Sequence, residues 1–341
     1  MFISQEGPIL RMQIGLTKNL LVNKNFSYFT YSREALIEIL KFNKISSGDE
    51  ILLPNYLCST VIEGIFPITE NIKYYTINDS LSYSKSEVSS LISNKTRLII
   101  FVDYFGVETR VDKDLELELK NNKIILIKDS SHSFLSLVNR NFHKDYQYDY
   151  LISSIYKNIP LQVGSIAIGN FGKVYNFINL SILIKRYVVL FLKNIICFFG
   201  QSRFINRNVQ NISISVNAPI DYSYGFNAVK LYKKILFHIN FRKIISEKQE
   251  LVSVFNRFFS NNLEYKSLFT QEIMDQNILQ VYPVLFKNKT QRDVMLNLLK
   301  KNCIDVYTWP TFHRTNYDDF LWGRILLLPL NIKVIKALQD V

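Results

Sequence analysis

Cysteine, histidine, glycine and proline are all scarce in this chain. Its three cysteines, Cys58, Cys197 and Cys303, are scattered over 341 residues without metal-ligand spacing, and three cannot all pair within one chain. That excludes a disulfide scaffold and a zinc or iron–sulfur module, and it favours a reducing compartment. No metal is expected. With only 11 glycines, 8 prolines and 21% charged residues, the composition also excludes a low-complexity or disordered protein. The start, MFISQEGPILRMQIGL, lacks the basic segment, long apolar stretch and small-residue cleavage site of an export signal, so the cytoplasm is the expected location. Dense Lys/Arg blocks with interleaved aromatics are missing too, and nucleic acid is not an expected partner.

What is present is an apolar fraction of 48%, enough for a sizeable core, and an excess of 41 basic over 29 acidic residues, a net +12. The length suits one large domain with an appendage, or two domains. The excess charge favours an anionic partner, such as a phosphorylated small molecule. The most apolar stretch, Leu180 to Gly200, is interrupted by Lys185, Arg186 and Lys193, which argues against a membrane span. A helix that apolar must still be buried in the core, in a partner or against lipid.

Periodicity predicts a first helix within Phe26 to Phe42, where Ala35, Leu36, Ile39 and Leu40 recur at helical spacing. Ser32 stands where an N-cap belongs; the amides of Ser32 and Arg33 would equally suit an anion. Then come a buried strand (Ile51 to Leu53), a loop carrying Tyr56 and Cys58, a helix (Ser59 to Phe66) and a strand (Ile72 to Ile77). A polar helix, the strand RLIIFVDYFG and the helix VDKDLELELKNN follow. An aromatic in the Tyr56 loop would stack on a flat ring or simply pack. This alternation implies an α/β fold with a parallel, doubly wound sheet. Beyond Asn170 the pattern predicts long helices (Val174 to Phe199, Asn227 to Ser260). An α+β tail of strand ILQVYPVLF, helix KTQRDVMLNLLKKN with Leu296 and Leu299 inward, and strand CIDVYTWP closes the chain.

The chemistry concentrates between Ile124 and Ile168. One buried run (Ile124 to Ile127) delivers Asp129 at its carboxyl end, and a second (Tyr150 to Ile155) delivers Lys157. Ligands of open α/β sheets bind beyond those strand ends, so the two residues can meet over one small molecule. A structural ion pair would use the same residue types.

Five stretches in order, YSREALIEIL, SSGDEILLPNYLCSTVIEGI, RLIIFVDYFG, KDSSHS and SSIYKNIPLQVGSIAI, resemble the DegT/DnrJ/StrS-type sugar aminotransferases, pyridoxal phosphate enzymes of fold type I. The resemblance spans roughly Phe26 to Leu330. It implies a mixed, mostly parallel central sheet with helices on both faces and a small α+β C-terminal domain. The implied division is a lead-in (1–25), a cofactor-binding domain (26–225), and a connecting helix with the small domain (226–341).

By the same resemblance, Lys157 would carry pyridoxal 5′-phosphate and move the proton, and Asp129 would keep the ring nitrogen protonated. Ser154, with Ser32 and Arg33, would bind the phosphate. His132, in a place where the family usually has Gln, would lie against the ring or its phenolic oxygen; a satisfied strand-end histidine is the alternative. Tyr56 and Cys58 complete the cofactor-binding set. Two departures stand out: Ser165 follows Gly164 where two glycines are usual, and Gly225 in SYGFN falls where an Asn-Tyr-Arg segment of the neighbouring subunit usually supplies Arg.

The implied activity is amination of a nucleotide-linked keto sugar, with glutamate as donor, by a homodimer serving surface polysaccharide such as O-antigen. Rival readings are a related sugar dehydratase and a non-catalytic protein on a membrane surface, held through residues 180–199.

Overall fold

The computed structural model describes residues 26–140, 148–159, 161–172, 175, 177–198, 228–260, 265–302, 304, 306, 308 and 321–339, without the side chains of 190, 193–198, 321 and 322. The lead-in and SYGFN, with Gly225, lie outside the described residues.

FSYF forms a strand, β1 (Phe26–Phe29), where helical periodicity predicted the opening of a helix. Its side chains alternate, Phe26 and Tyr28 entering one apolar cluster and Phe29 another. That period of two, with three aromatics, suits a pleated surface. Helix α1 (Ser32–Phe42) begins only after it and buries Ala35, Leu36, Ile39 and Leu40. Tyr31 is the N-cap residue, so Ser32 does not cap the helix and its hydroxyl is spent elsewhere. Glu34 reaches back instead, its Oε2 accepting the Thr30 N–H at 2.9 Å.

The predicted alternation follows: β2 (Glu50–Pro54), α2 (Ser59–Ile65), β3 (Ile72–Tyr75), α3 (Lys85–Leu91), β4 (Thr96–Val102), α4 (Lys113–Asn121), β5 (Ile125–Asp129), α5 (Phe134–Asn139), β6 (Tyr150–Ser154) and β7 (Ser165–Gly169). These build a seven-stranded sheet in the order β1-β7-β6-β5-β4-β2-β3. From β3 to β6 every pair is parallel, whereas β7 joins β6 and β1 antiparallel. The fold is thus the expected mixed, mostly parallel one. Leu98 to Phe101 are wholly buried, as a strand covered on both faces requires. On β6, Tyr150 and Ile152 enter one apolar cluster and Leu151 the other. Each such side chain contributes about 1.5–3 kcal/mol by leaving water.

Helix α6 (Leu180–Phe198) is the apolar segment seen in the sequence. The single helix expected over Asn227 to Ser260 is two, α7 (Val229–Phe237) and α8 (Phe241–Phe259), because Asn240 starts a new helix by accepting the Lys243 N–H at 2.9 Å. Phe255 and Phe259 of α8 pack on Tyr282, with ring centroids 5.0 and 5.3 Å apart.

A second, antiparallel sheet joins β8 (Tyr265–Ser267), β9 (Tyr282–Phe286) and β10 (Ile325–Leu328) in the order β10-β9-β8, with α9 (Gln271–Gln276), α10 (Lys289–Lys301), α11 (Leu321–Arg324) and α12 (Ile332–Gln339). Leu299 of α10 is buried and Leu296 partly so. CIDVYTWP, expected as a strand, supplies none among its described residues: Ile304 and Val306 are buried, but the third strand is ILLL. Ile304 N–H bonds back to Leu299 at 3.0 Å, holding the segment against the end of α10.

Candidate active site

Strands β2 and β4 are neighbours, yet the chain leaves β2 for β3 in one direction and β4 for β5 in the other. Such a reversal opens a crevice at the carboxyl ends of the strands. A cavity of about 370 Å³ lies there, within the range of small-molecule sites. The loop after β2 contributes Cys58, β5 contributes Asp129, and the segments after β5 and β6 contribute His132 and Lys157. A segment far along the chain adds Gln280, fixed by its N–H on the Phe105 carbonyl at 2.8 Å. Gly106 permits that approach, since a Cβ there would lie 2.3 Å from the Ile278 carbonyl oxygen.

Asp129 is the last residue of β5 and is buried. Burial pushes its carboxyl above the ordinary value; a hydrogen bond from Ser131, whose N–H lies 3.0 Å from Oδ1, and the charge of Lys157 pull it back. A buried carboxylate so placed is costly without a cationic partner. His132 stacks on Phe105, with 10° between planes, and its Nδ1 accepts the Phe105 N–H at 3.3 Å. Burial, then the charge of Lys157, holds the imidazole well below its ordinary pKa, so the ring is neutral. With Nδ1 an acceptor, the proton sits on Nε2, 3.4 Å from the Lys157 Nζ. His132 therefore turns an N–H into the lysine side of the cavity, where the charged ammonium cannot accept it and an oxygen of a bound group could.

Lys157 occupies a tight turn between β6 and β7. Asn158 holds that turn, its Nδ2 donating to the carbonyls of Ser154 (3.1 Å) and Ser131 (3.3 Å), while Ile155 N–H bonds the Gly164 carbonyl at 2.9 Å. Gly164 has φ of +118°, and any Cβ there would collide with the Tyr232 hydroxyl at 1.8 Å. The position that demands glycine thus has it. Ser165 starts β7 in ordinary strand pairing, so losing the second glycine leaves the turn intact.

Three hydroxyls of the cavity lining converge. Ser32 Oγ lies 2.7 Å from Ser154 Oγ, and Ser131 Oγ donates to Ser32 at 3.3 Å. They stand at the start of α1, where helix amides favour an anion. Arg33 also lines the cavity and pairs with Glu63 at 3.5 Å. Tyr31 lies edge-on to Tyr156, with centroids 5.8 Å apart.

Of the residues expected from sequence, Ser32, Arg33, Cys58, Asp129, His132, Ser154 and Lys157 share this one cavity. Tyr56 does not: it is buried, tilted against Tyr104 and edge-on to Phe105, and packs rather than stacking on a ligand. Polar cavity residues not anticipated are Tyr31, Thr60, Asp103, Ser131, Tyr156, Arg186 and Gln280, beside several apolar ones. Ser131 and Tyr156 flank residues already singled out. Arg186 and Gln280 come from distant segments, for which local sequence carries no signal.

Residues 29–141 match the DegT/DnrJ/EryC1/StrS aminotransferase family. No curated protein matches the chain. Among solved structures, it is similar to PseC of Helicobacter pylori, an aminotransferase involved in the biosynthesis of pseudoaminic acid, with 14% identity and a TM-score of 0.61 over 96% of this chain and 92% of that one. A DegT DnrJ EryC1 StrS aminotransferase from Brucella abortus gives 14% and 0.61 over 98% and 90%. NtdA of Bacillus subtilis, solved with bound cofactor PMP, gives 14% and 0.60 over 98% and 76%. The shared fold is that of the fold type I aminotransferases.

Proposed function

We propose that this pyridoxal-phosphate aminotransferase, matched to the DegT/DnrJ/EryC1/StrS family over residues 29–141, converts a nucleotide-linked keto sugar to an amino sugar, with glutamate as amino donor, for a surface polysaccharide. The observation that carries the reading is one cavity lined both by Asp129, neutral His132 and Lys157 and by three convergent hydroxyls. The donor set suits the cofactor. A protonated ring nitrogen would give Asp129 the cationic partner its burial calls for, and the hydroxyls of Ser32, Ser131 and Ser154 with the α1 amides suit a phosphate. Pyridoxal phosphate supplies the electron sink for the bond that breaks on the donor.

The chain's own residues do the rest. Lys157 Nζ would hold the cofactor and, when free, would take the substrate's proton as base and return it as acid. Asp129 keeps the ring nitrogen cationic, because an adjacent carboxylate favours the charged form. His132, with its proton on Nε2, would donate to the cofactor's phenolic oxygen without taking a proton itself. Arg33 adds positive charge at the phosphate end. A sugar substrate is supported by similarity to structures described as sugar aminotransferases, and the +12 charge is compatible with a nucleotide's phosphates. A cytoplasmic setting agrees with cysteine usage.

Borohydride reduction of the purified protein followed by peptide mapping tests this directly. The cofactor is expected on Lys157, and Lys157→Ala is expected to abolish both linkage and turnover. An adduct on another lysine would overturn the assignment.

The second part of the reading is a homodimer. Among the described residues no helix is long and apolar enough to cross a membrane. Yet α6 exposes Ile184, Val188, Phe191 and Leu192, the last two 64% and 49% exposed, along one stripe at helical spacing. A patch of this kind marks a partner, here a second copy. Light scattering in dilute buffer without detergent is expected to give a dimer, with α6 protected from hydrogen exchange. A monomer that sediments with anionic liposomes through this helix would favour the membrane-surface protein instead.

A further inference from the structure

We propose that Arg186 grips an oxyanion of the substrate, either a carboxylate of the amino donor or a phosphate of the sugar nucleotide. This deepens the proposed function and rests on it. On α6 the outward residues Ile184, Tyr187 and Val188 are exposed, whereas Leu183 is buried and Arg186, three positions on, is half-buried and lines the cavity. A largely apolar helix thus sends its one guanidinium inward, to the same cavity as Lys157.

The guanidinium is positioned but not neutralised. Its Nε donates to the Tyr31 hydroxyl at 3.3 Å, and its central carbon lies 5.9 Å from the centre of the Tyr31 ring. Tyr31 is in turn braced edge-on by Tyr156, the neighbour of Lys157. Among the described residues no carboxylate lies within ion-pair distance of Arg186, and only its Nε makes a hydrogen bond; Arg33, by contrast, has Glu63. The two terminal nitrogens of arginine form a planar fork that matches carboxylate and phosphate oxygens. Fixing the inner nitrogen on Tyr31 aims that fork. Since the cofactor's phosphate already has three hydroxyls and the start of α1, the anion left for Arg186 is the substrate's.

Arginine labelling with phenylglyoxal, mapped by mass spectrometry on the full chain, reads the site without turnover. Glutarate probes the carboxylate source and pyrophosphate the phosphate source, with exposed Arg97 as the control. Selective slowing of Arg186 labelling by one probe supports the proposal and names the source; protection by neither overturns it. In the cofactor-loaded enzyme, Arg186→Gln is expected to raise the half-saturating concentration of glutamate or the inhibition constant of pyrophosphate about tenfold to hundredfold. Arg186→Lys should recover part of this, and the Lys157-linked cofactor should persist in both variants. Unchanged binding of both probes overturns the proposal, as does an Arg186→Gln protein that loses the cofactor itself, which would assign the residue to the cofactor phosphate. Absence of a borohydride-fixed adduct in the wild type would instead overturn the aminotransferase reading, while the labelling result still judges the anion grip alone.

Discussion

The ends of β4 and β5 lie side by side, and each delivers a buried aspartate, yet the two regions are finished differently. Asp103, just past β4, meets the Lys128 ammonium at 3.0 Å, and both side chains are almost sealed from water. It also accepts the Thr109 N–H at 2.8 Å and the Ser130 hydroxyl at 2.6 Å, and Lys128 donates to the Thr109 carbonyl. Among the described residues, the burial of Asp129 is offset by hydrogen bonds from Ser131 and by the charge of Lys157, with no ion pair. One carboxylate is completed by its own chain; the other, under the proposed function, would be completed by the cofactor's ring nitrogen. Sheet position alone does not make a site. What marks it is an unfinished charge.

Removing one charge at each of the two strand ends is the largest way to sharpen this contrast. Asp129→Asn is expected to leave the thermal midpoint unlowered, because a desolvated charge disappears, while turnover falls by orders of magnitude as the ring nitrogen loses its counter-charge. Near-normal rates in that variant would mean that another group faces the nitrogen. At the neighbouring strand end the consequence is reversed. Lys128→Met strands Asp103 as a buried charge and should cost about 3–5 kcal/mol of stability in denaturant titrations. A loss below about 1 kcal/mol would show that water or another group replaces the lysine there.

The smallest effect concerns a third carboxylate, Glu34, beside the hydroxyl cluster. Burial raises it from its ordinary value of 4.5 to about 7, against opposing hydrogen bonds from Thr30 and Tyr31 and the charge of Arg33. Its folded pKa exceeds the unfolded one, so its contribution is fully present below about pH 4.5 and is lost as pH rises to about 7. The loss is at most on the order of 3 kcal/mol. Glu34→Gln should flatten that slope; an unchanged stability profile would show that Glu34 ionises freely in the fold.

The central sheet was largely legible because each parallel strand is a short apolar run followed by a helix with its own periodicity. Asp129 and Lys157 could be singled out because each stands just beyond such a run. Strand β1 was not legible, since four residues of period two sit directly against a helix, and their partner, β7, is remote. The break at Asn240 and the strand ILLL were missed for a similar reason: a cap and a sheet pairing each depend on local geometry or distant chain. Tyr56 misled because a loop aromatic looks the same in sequence whether it faces a ligand or, as here, Tyr104 and Phe105. Arg186 was visible only as a charge interrupting an apolar helix, and its direction became readable only with α6 in place.

The antiparallel pairing of β1 with β7 also sets an order of assembly. The first strand of the sheet must wait for a partner made roughly 140 residues later, and such distant pairings are slow to close. Until then β6 has an open edge, and the lysine turn lacks the bond from Gly164 N–H to the Thr30 carbonyl. A nascent chain that has emerged only through β6 therefore has the aspartate but no clamped lysine. The cofactor pocket is completed near the end of folding of the large sheet, and cofactor binding then acts on a nearly finished protein rather than guiding its early steps.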